Sequence, residues 1–189
     1  MSAQDSKLFV ISGPSGAGKG TLVTRVRERR SNLGLTVSAT TRAPRKGEVD
    51  GVNYFFLTRE EFDRRVANGE FVEWAEVHGN CYGTLVSEVQ SKLASGASLI
   101  LEIDVQGALQ VKELFPEAVL IFIKPPSLEV LRERLVGRGT ETPETIELRM
   151  ANAADELALA DRYDDVVVND DLDRATDELV RVLDMHERI

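Results

Sequence analysis

The feature that most constrains the fold is a nine-residue, glycine-rich segment that ends in Lys-Gly-Thr. The apolar run at residues 8–11 just before it predicts a buried strand, and the pattern at residues 19–30 predicts a helix. Glycines let successive backbone N–H groups turn inward around an anion, and the helix N-terminus adds partial positive charge. A strand, such a loop and a helix in this order therefore predict a phosphate-binding loop. Its residues are Gly13, Pro14, Ser15, Gly16, Ala17, Gly18, Lys19, Gly20 and Thr21.

Lys19 supplies a full positive charge that can follow a phosphoryl group, so the loop predicts binding of a nucleoside triphosphate with Mg²⁺. One position departs from the usual pattern, because Gly20 follows the lysine where serine or threonine is common. We therefore expect Mg²⁺ to be held mainly by nucleotide phosphates and waters, or through Thr21. The alternative is a strand-to-helix turn without a ligand, which the agreement of loop, lysine and flanking elements disfavours.

Short apolar runs alternate with longer amphipathic stretches along the rest of the chain. Continuous apolar runs are typical of parallel strands buried on both faces, and strands alternating with helices predict right-handed crossovers. We therefore predict an α/β fold of the P-loop NTPase type, a parallel sheet flanked by helices. The first helix carries Arg25, Arg27, Arg29 and Arg30 on its predicted solvent side. The predicted strands are residues 8–11, 35–38, 98–104, 118–123 and 165–169, and the predicted helices are residues 19–30, 105–114, 128–136, 143–159 and 172–187.

Two segments interrupt this alternation and predict insertions into the main sheet. Residues 39–84 are rich in charge and turns, and Thr58 begins a helix with the spacing of a capping box. Residues 126–160 are predicted to be helical, with Ser127 and Thr142 as N-caps. We predict a single domain over residues 1–189. It comprises a mixed α/β subdomain at about residues 39–84, a helical lid at about 126–160, and a core of about 1–38, 85–125 and 161–189.

Charge and composition exclude several classes of protein. The 23 basic and 32 acidic side chains give a net charge of −9, which argues against coating nucleic acid or an anionic membrane. A single cysteine, Cys81, excludes an intrachain disulfide, and with only two histidines we expect no cysteine/histidine zinc site. The longest apolar run has six residues, where a bilayer span needs about 20. The N-terminus lacks the pattern of a secretory signal, so we expect a cytoplasmic protein.

The first inserted segment holds candidates for a second anion site. Arg42 and Arg45 lie three residues apart, and two guanidinium groups suit the oxygens of a phosphate dianion. Tyr54 and Tyr82 can add hydroxyl donors, and Glu73 stands among bulky residues, where a carboxylate needs a partner. The alternatives are a solvated basic loop for the arginines and an outward-facing strand position for Glu73.

With these residues in place, the sequence resembles the guanylate kinase family. The similarity covers about residues 7–186 and keeps the matching blocks in family order, so it is far more specific than the phosphate loop alone. The matching blocks are residues 13–21, 38–48 with Gly51, 71–75, 82–84, 102–107, 125–127, 137–141 and 168–171.

The resemblance implies transfer of the ATP γ-phosphoryl group to GMP, and to dGMP, giving ADP and GDP in purine nucleotide metabolism. Lys19, Arg138 and Arg149 would then act on the transferring phosphoryl group, with Arg134 as a further lid arginine. In this family two flaps close over a rigid core, and the two inserted segments match those flaps.

The resemblance also assigns the binding residues. Asn169 would lie beside the ATP adenine, so the ATP-binding residues would be those of the phosphate loop together with Asn169. Asp104 would orient waters on Mg²⁺. ATP and GMP are the implied partners, and the oligomeric state is left open. The residues implied for GMP are Ser38, Arg42, Arg45, Tyr54, Glu73, Tyr82, Gly83, Thr84, Glu102 and Asp104.

Two other classes of protein share some of these features. Scaffold proteins contain guanylate kinase-like modules without activity, but these have degraded phosphate loops, whereas Lys19, Arg42, Arg45 and Arg138 are all present here. A small-molecule kinase acting on a ribose phosphate would lack a carboxylate that reads a base near the second tyrosine. Glu73 and Tyr82 argue against that class.

Overall fold

The computed structural model describes residues 6–77, 79–137 and 142–187, and a strand opens the fold just before the glycine-rich loop. In chain order the elements are β1 (Leu8–Ser12), α1 (Lys19–Arg29), β2 (Gly34–Leu35), β3 (Ala39–Thr40), β4 (Phe55–Phe56), α2 (Arg59–Ala67), β5 (Phe71–Val77), β6 (Asn80–Leu85), α3 (Val86–Ala94), β7 (Leu99–Glu102), α4 (Val105–Leu114), β8 (Val119–Lys124), α5 (Leu128–Gly137), α6 (Pro143–Leu157), a 3₁₀ turn (Ala160–Arg162), β9 (Asp165–Val168) and α7 (Leu172–Glu187).

A parallel sheet of five strands forms the centre, in the order β2-β7-β1-β8-β9. All five residues of β1 are buried, because α1 and α7 pack on one face of the sheet while α3 and α4 pack on the other. This arrangement confirms the predicted α/β fold. Since parallel strands end at the same edge, the glycine-rich loop after β1 and the acidic residues after β7 meet there.

The predicted strand at residues 35–38 is wrong in its extent. Gly34 and Leu35 pair with β7 in the main sheet, whereas Ala39 and Thr40 belong to a second sheet. Thr36 and Ser38 border a cavity between the two sheets, so the chain crosses over at these residues.

The second sheet has four strands in the order β4-β3-β6-β5 and packs against α2. Phe62 of α2 is fully buried, and its ring centroid lies 4.4 Å from that of Phe71. Thr58 caps this helix by accepting a hydrogen bond from the Glu61 backbone N–H, which confirms the predicted helix start. The division of the chain into core, subdomain and lid stays a prediction.

Helices α5 and α6 form a pair with its own apolar contact, in which Leu131 and Leu135 pack with Ala153. Ser127 and Thr142 accept hydrogen bonds from backbone N–H groups three residues on, so both predicted N-caps are confirmed. Residues 138–141, and with them the predicted lid residue Arg138, lie outside the described part of the chain.

A seam between α1 and α7 attaches the helix after the glycine-rich loop to the last helix. Leu22 and Val26 share an apolar cluster with Ala175, Leu179 and Leu183. Ion pairs flank it: Arg25 with Asp173, Arg29 with Asp177, and Arg30 with Asp184 and Glu187. The predicted solvent position of Arg30 is therefore wrong, because its side chain is only 13% exposed. None of the described helices combines the length and the apolar character that a membrane span requires.

Candidate active site

The backbone of the glycine-rich loop takes a shape that side chains would prevent. Gly13 has φ 140°, and a Cβ there would lie 2.2 Å from the Ile123 carbonyl oxygen. Gly18, the N-cap of α1, has φ 91°, and a Cβ there would lie 2.4 Å from Nδ2 of Asn169. Both positions therefore require glycine. The loop closes tightly against β8 and the segment after β9, and leaves the N-terminus of α1 pointing at the space above it.

Lys19 lies within the loop, as predicted. Its Nζ donates hydrogen bonds to the carbonyl oxygens of Gly13, at 2.6 Å, and Pro14, at 3.1 Å. Helix α6 reaches the same loop, because Nη1 of Arg149 donates to Oγ of Ser15 at 2.7 Å. Two cations from different elements therefore converge on this loop.

A cavity of about 500 Å³ opens beside the loop, between α5 and the segment after β9. Asn169 is buried there, and its Nδ2 donates to the Ala17 carbonyl at 2.8 Å. Nη2 of Arg134 donates to the Asn169 carbonyl at 2.8 Å. Arg134 therefore lies beside this cavity and fixes its wall. Gly16, Gly18 and Thr21 of the loop also line it, together with Gly137, Asp170 and Leu172.

A second cavity, of about 340 Å³, lies directly over the loop and is lined by Lys19, Thr21 and Glu102 among others. Gly20 lies next to this carboxylate: a Cβ at that position would be in van der Waals contact with Oε1 of Glu102, at 3.4 Å. Glu102 retains access to solvent. Partial loss of hydration nevertheless raises the pKa of its carboxyl group, and the charge of Lys19 opposes that shift.

A third cavity, of about 390 Å³, separates the main sheet from the second sheet. Its walls come from α1, β2, the end of β7 and the second sheet. Glu73 and Thr84 face each other across β5 and β6, and the Thr84 hydroxyl donates to Oε1 of Glu73 at 2.8 Å. The residues that border it are Gly20, Val23, Thr24, Arg27, Leu35, Thr36, Ser38, Glu73, Thr84, Ile100, Leu101, Glu102, Ile103 and Asp104.

Glu73 is the most strongly desolvated acid of this cavity wall. Burial raises the pKa of Glu73, the charge of Asp104 raises it further, and the hydrogen bond from Thr84 opposes the shift. Gly83, next to its cross-strand partner Thr84, has no room for a side chain, since a Cβ would lie 2.7 Å from the Glu73 carbonyl oxygen. Glu73 is therefore an inward-facing residue, and the alternative of an outward-facing strand position is wrong.

Arg42 is held in place by several contacts. Its Nη2 donates to Oε1 and Oε2 of Glu48 at 2.8 and 3.0 Å, and its guanidinium carbon lies 5.4 Å from the Tyr54 ring centroid. Hydrogen bonding to Glu48, and a weaker one to Tyr82, raises the pKa of Arg42. Arg42, Tyr54 and Tyr82 thus form one cluster, whereas Arg45 is exposed and only its backbone N–H reaches Glu48.

Asp104 is a helix N-cap and also borders the third cavity. Its carboxylate caps α4 by accepting a hydrogen bond from the Gly107 backbone N–H at 2.7 Å.

The sequence analysis missed one charged residue near Asp104, which is Glu156 on α6. Burial raises the pKa of Glu156, Lys19 lowers it and Asp104 raises it, so these charged groups face one another. Glu156 follows Arg149 by two helical turns, and this spacing was the sequence signal that could have placed both residues on one face of α6.

The three cavities adjoin one another and share lining residues, and together they form the candidate cleft. Gly16, Gly18 and Thr21 border both the first and the second, while Gly20 and Glu102 border both the second and the third. Most predicted site residues line this cleft or lie in the Arg42 cluster. A phosphate loop between two ligand-sized cavities on a parallel sheet defines the class as a P-loop phosphotransferase with a donor side and an acceptor side.

Comparisons with known proteins identify the family within that class. The sequence profile described as Guanylate kinase matches residues 5–186. The chain belongs to the guanylate kinase family.

Individual relatives agree with this assignment over almost the whole chain. A curated guanylate kinase from Gloeobacter violaceus is 57% identical over 178 residues, covering 94% of this chain and 87% of the relative. One from Halalkalibacterium halodurans is 51% identical over 183 residues, covering 97% and 90%. Among solved structures, the crystal structure of guanylate kinase from Anaplasma phagocytophilum matches with a TM-score of 0.70 and 36% identity, covering 97% of this chain and 87% of that chain.

Proposed function

We propose that the three adjoining cavities perform ATP-dependent phosphorylation of GMP, with each cavity taking one part of the reacting pair. We call the first the donor cavity, the second the phosphate cavity and the third the acceptor cavity. The observation that carries the proposal is that the phosphate cavity shares lining residues with both of the others, Gly16, Gly18 and Thr21 with the donor cavity and Gly20 and Glu102 with the acceptor cavity. In-line transfer needs this alignment, together with neutralised charge and little water.

The donor side is proposed to bind ATP. The adenine fits the cavity walled by Arg134 and Asn169, and the phosphates lie over the loop, where the N-terminus of α1 and Lys19 supply positive charge. Nζ of Lys19 donates to two loop carbonyls, so it lies at the edge of the cavity proposed for the phosphates. Its flexible side chain would bring the charge to the phosphate oxygens.

The acceptor side is proposed to bind GMP. Glu73 offers two oxygens to the N1–H and amino donors of guanine, and the Thr84 hydroxyl keeps that carboxylate oriented. The Arg42 cluster, with Arg45, Tyr54, Tyr82 and the nearby Ser38, takes the phosphate. Arg42 is already fixed by Glu48, so little side-chain freedom is lost when the phosphate arrives.

The residues around the phosphate cavity are proposed to fit Mg²⁺. This ion prefers oxygen ligands and retains waters, and Thr21 and Glu102 present a hydroxyl and a carboxylate to the cavity that the phosphates would occupy. Among the described residues no group of three or more acidic, histidine or cysteine side chains could hold a metal ion. Asp104 would act through such waters. When bound, Mg²⁺ neutralises charge on the transferring group.

A nucleoside monophosphate panel tests this proposal. With ATP and Mg²⁺, we expect ADP release with GMP and dGMP, and kcat/KM for AMP, CMP and UMP lower by about a thousandfold or more, because a site built on hydrogen bonds rejects a base that leaves them unpaired. Comparable turnover of AMP or UMP would contradict the assignment of Glu73. Preference for dGMP or GMP, and the cytoplasmic location, stay predictions.

Replacing Arg149 with alanine should lower kcat by about a thousandfold while the Kd for GMP stays within about twofold. Arg149 reaches Ser15 in the loop rather than the acceptor cavity, and arginines delivered to a transferring phosphoryl group typically contribute this much. Steady-state kinetics and a GMP titration measure both quantities. Arg132→Ala is the matched control, because Arg132 lies on the neighbouring helix α5 and pairs with exposed Glu147. If Arg149→Ala lowers GMP affinity as much as it lowers kcat, Arg149 belongs to the acceptor site instead.

A further inference from the structure

Ser15 carries a hydroxyl group that a phosphate loop does not need for holding an anion. Such a loop binds phosphate oxygens with backbone N–H groups and with the charge of its lysine. Ser15 is exposed and borders the phosphate cavity, and its Oγ accepts a hydrogen bond from Nη1 of Arg149 at 2.7 Å. This contact joins residues 134 positions apart. The hydroxyl therefore links the loop to α6 at the rim of the phosphate cavity.

A closed turn at the tip of the loop fixes the position of Ser15. The Ala17 backbone N–H donates to the Pro14 carbonyl oxygen at 3.1 Å, which closes a four-residue turn with Ser15 and Gly16 at its corner. Gly16 has φ 92°, the conformation that the third residue of a type II turn requires. Because the backbone around Ser15 is already ordered, little conformational freedom is lost when its hydroxyl accepts a hydrogen bond.

Helices α5 and α6 pack on the same turn. A Cβ on Gly16 would lie 2.9 Å from Cδ1 of Leu131 and 3.1 Å from Cδ2 of Leu135, so both leucines of α5 lie against the turn. These leucines share an apolar cluster with Ala153 of α6. Ala153 follows Arg149 by four residues, so the two side chains lie on the same side of α6. The apolar contact therefore sets the helix pair beside the loop and turns the Arg149 side chain towards it.

An arginine acts on a transferring phosphoryl group only when its guanidinium group is held in the right place. The Arg149 side chain is long, and ordering it costs conformational entropy. A hydrogen bond from one of its five N–H donors to a hydroxyl on the ordered turn reduces the freedom that remains to be lost during transfer. We propose that Ser15 is a positioning residue that holds the Arg149 guanidinium group at the phosphate cavity. The inference rests on the proposed function.

A double-mutant cycle on the full chain tests this role. In the otherwise wild-type protein, Ser15→Ala should lower kcat about tenfold, the typical effect of losing a hydrogen bond to a charged group, while KM for ATP and for GMP stays within about twofold. In protein that already carries Arg149→Ala, the same change should leave kcat within about twofold, because no guanidinium group is left to position. Steady-state kinetics with ATP, GMP and Mg²⁺ give these values, and Tm shows that each variant is folded.

Two further variants separate the hydroxyl group from the shape of the loop. Ser15→Thr keeps the hydroxyl and should keep kcat within about threefold of the wild type. Ser91→Ala removes an exposed serine hydroxyl from α3 and should leave kcat unchanged.

A direct contact between the Ser15 hydroxyl and phosphate would predict a different outcome. The loss caused by Ser15→Ala would then persist in the Arg149→Ala background, and that result would overturn the positioning role. A wild-type kcat in Ser15→Ala, a loss that Ser15→Thr does not recover, or a KM for ATP that rises as much as kcat falls would each overturn it as well. Failure of the wild-type chain to phosphorylate GMP would instead refute the proposed function.

Discussion

Lys19→Met is expected to lower kcat by about a thousandfold or more while the chain stays folded. The lysine charge stabilises the migrating phosphoryl group more strongly than bound ATP, because negative charge develops on that group during transfer. Coupled measurement of ADP release gives kcat, and an ATP titration shows how much ground-state binding is lost.

Lys19 also stabilises the loop, so its replacement needs a stability control. The two hydrogen bonds from Nζ to loop carbonyls are worth about 1 kcal/mol each, and their loss should lower Tm modestly. Lys92→Met is the matched variant, since Lys92 pairs with Glu88 on α3 away from the cleft. If Lys19→Met retains kcat within tenfold of the wild type, the role assigned to Lys19 is wrong.

Glu73→Gln should reduce kcat/KM for GMP by about a hundredfold or more and leave that for AMP nearly unchanged. The amide keeps the size of the side chain but replaces one acceptor with a donor, which faces a donor of guanine. Adenine offers an acceptor at N1, so AMP loses nothing comparable. Glu76→Gln is a suitable control, because Glu76 lies on the same strand but is exposed and pairs with Arg59. An unchanged GMP-to-AMP ratio in Glu73→Gln would show that guanine is read elsewhere.

The raised pKa of Glu73 adds a pH dependence to this prediction. As pH falls through a carboxyl pKa that burial has raised, Glu73 takes up a proton and loses an acceptor, so kcat/KM for GMP should fall at a pH above the usual carboxyl range. Glu102 also has a raised pKa, and Glu73→Gln separates the two. In Glu73→Gln, the fall of kcat/KM for GMP at acidic pH should disappear or move to lower pH.

The central sheet was predictable because its strands are continuous apolar runs, and the caps at Thr58, Ser127 and Thr142 carried local signals. Helix α3 was missed, and its start explains why: Leu85 is the N-cap and makes no side-chain hydrogen bond to the helix. Strand β6 was missed because it has no simple alternation, and Gly83 is there for close packing against Glu73 rather than for strand propensity.

The site was predictable where a residue type and its spacing carry chemistry, as in the phosphate loop and the Arg42 segment. Contacts between distant parts of the chain were not. Glu102 borders both the phosphate and the acceptor cavities because β7 ends between them, and Glu156 comes near Lys19 only once α6 has packed over the loop. Arg27 has the same residue type as its helix neighbours, and only the fold separates their surroundings.

The seam between α1 and α7 affects the order in which parts of the chain fold during synthesis. The paired residues Arg25 and Asp173 are 148 positions apart, and β1 pairs only with strands that follow much later. Contacts this distant form late, after loop closure has been overcome. The helix that begins at the phosphate loop packs on the sheet and on α7, so part of its apolar side stays exposed until α7 has left the ribosome. The phosphate loop is translated before the segments around Arg134 and Asn169 that complete the cavity beside it, so this site becomes complete late in synthesis.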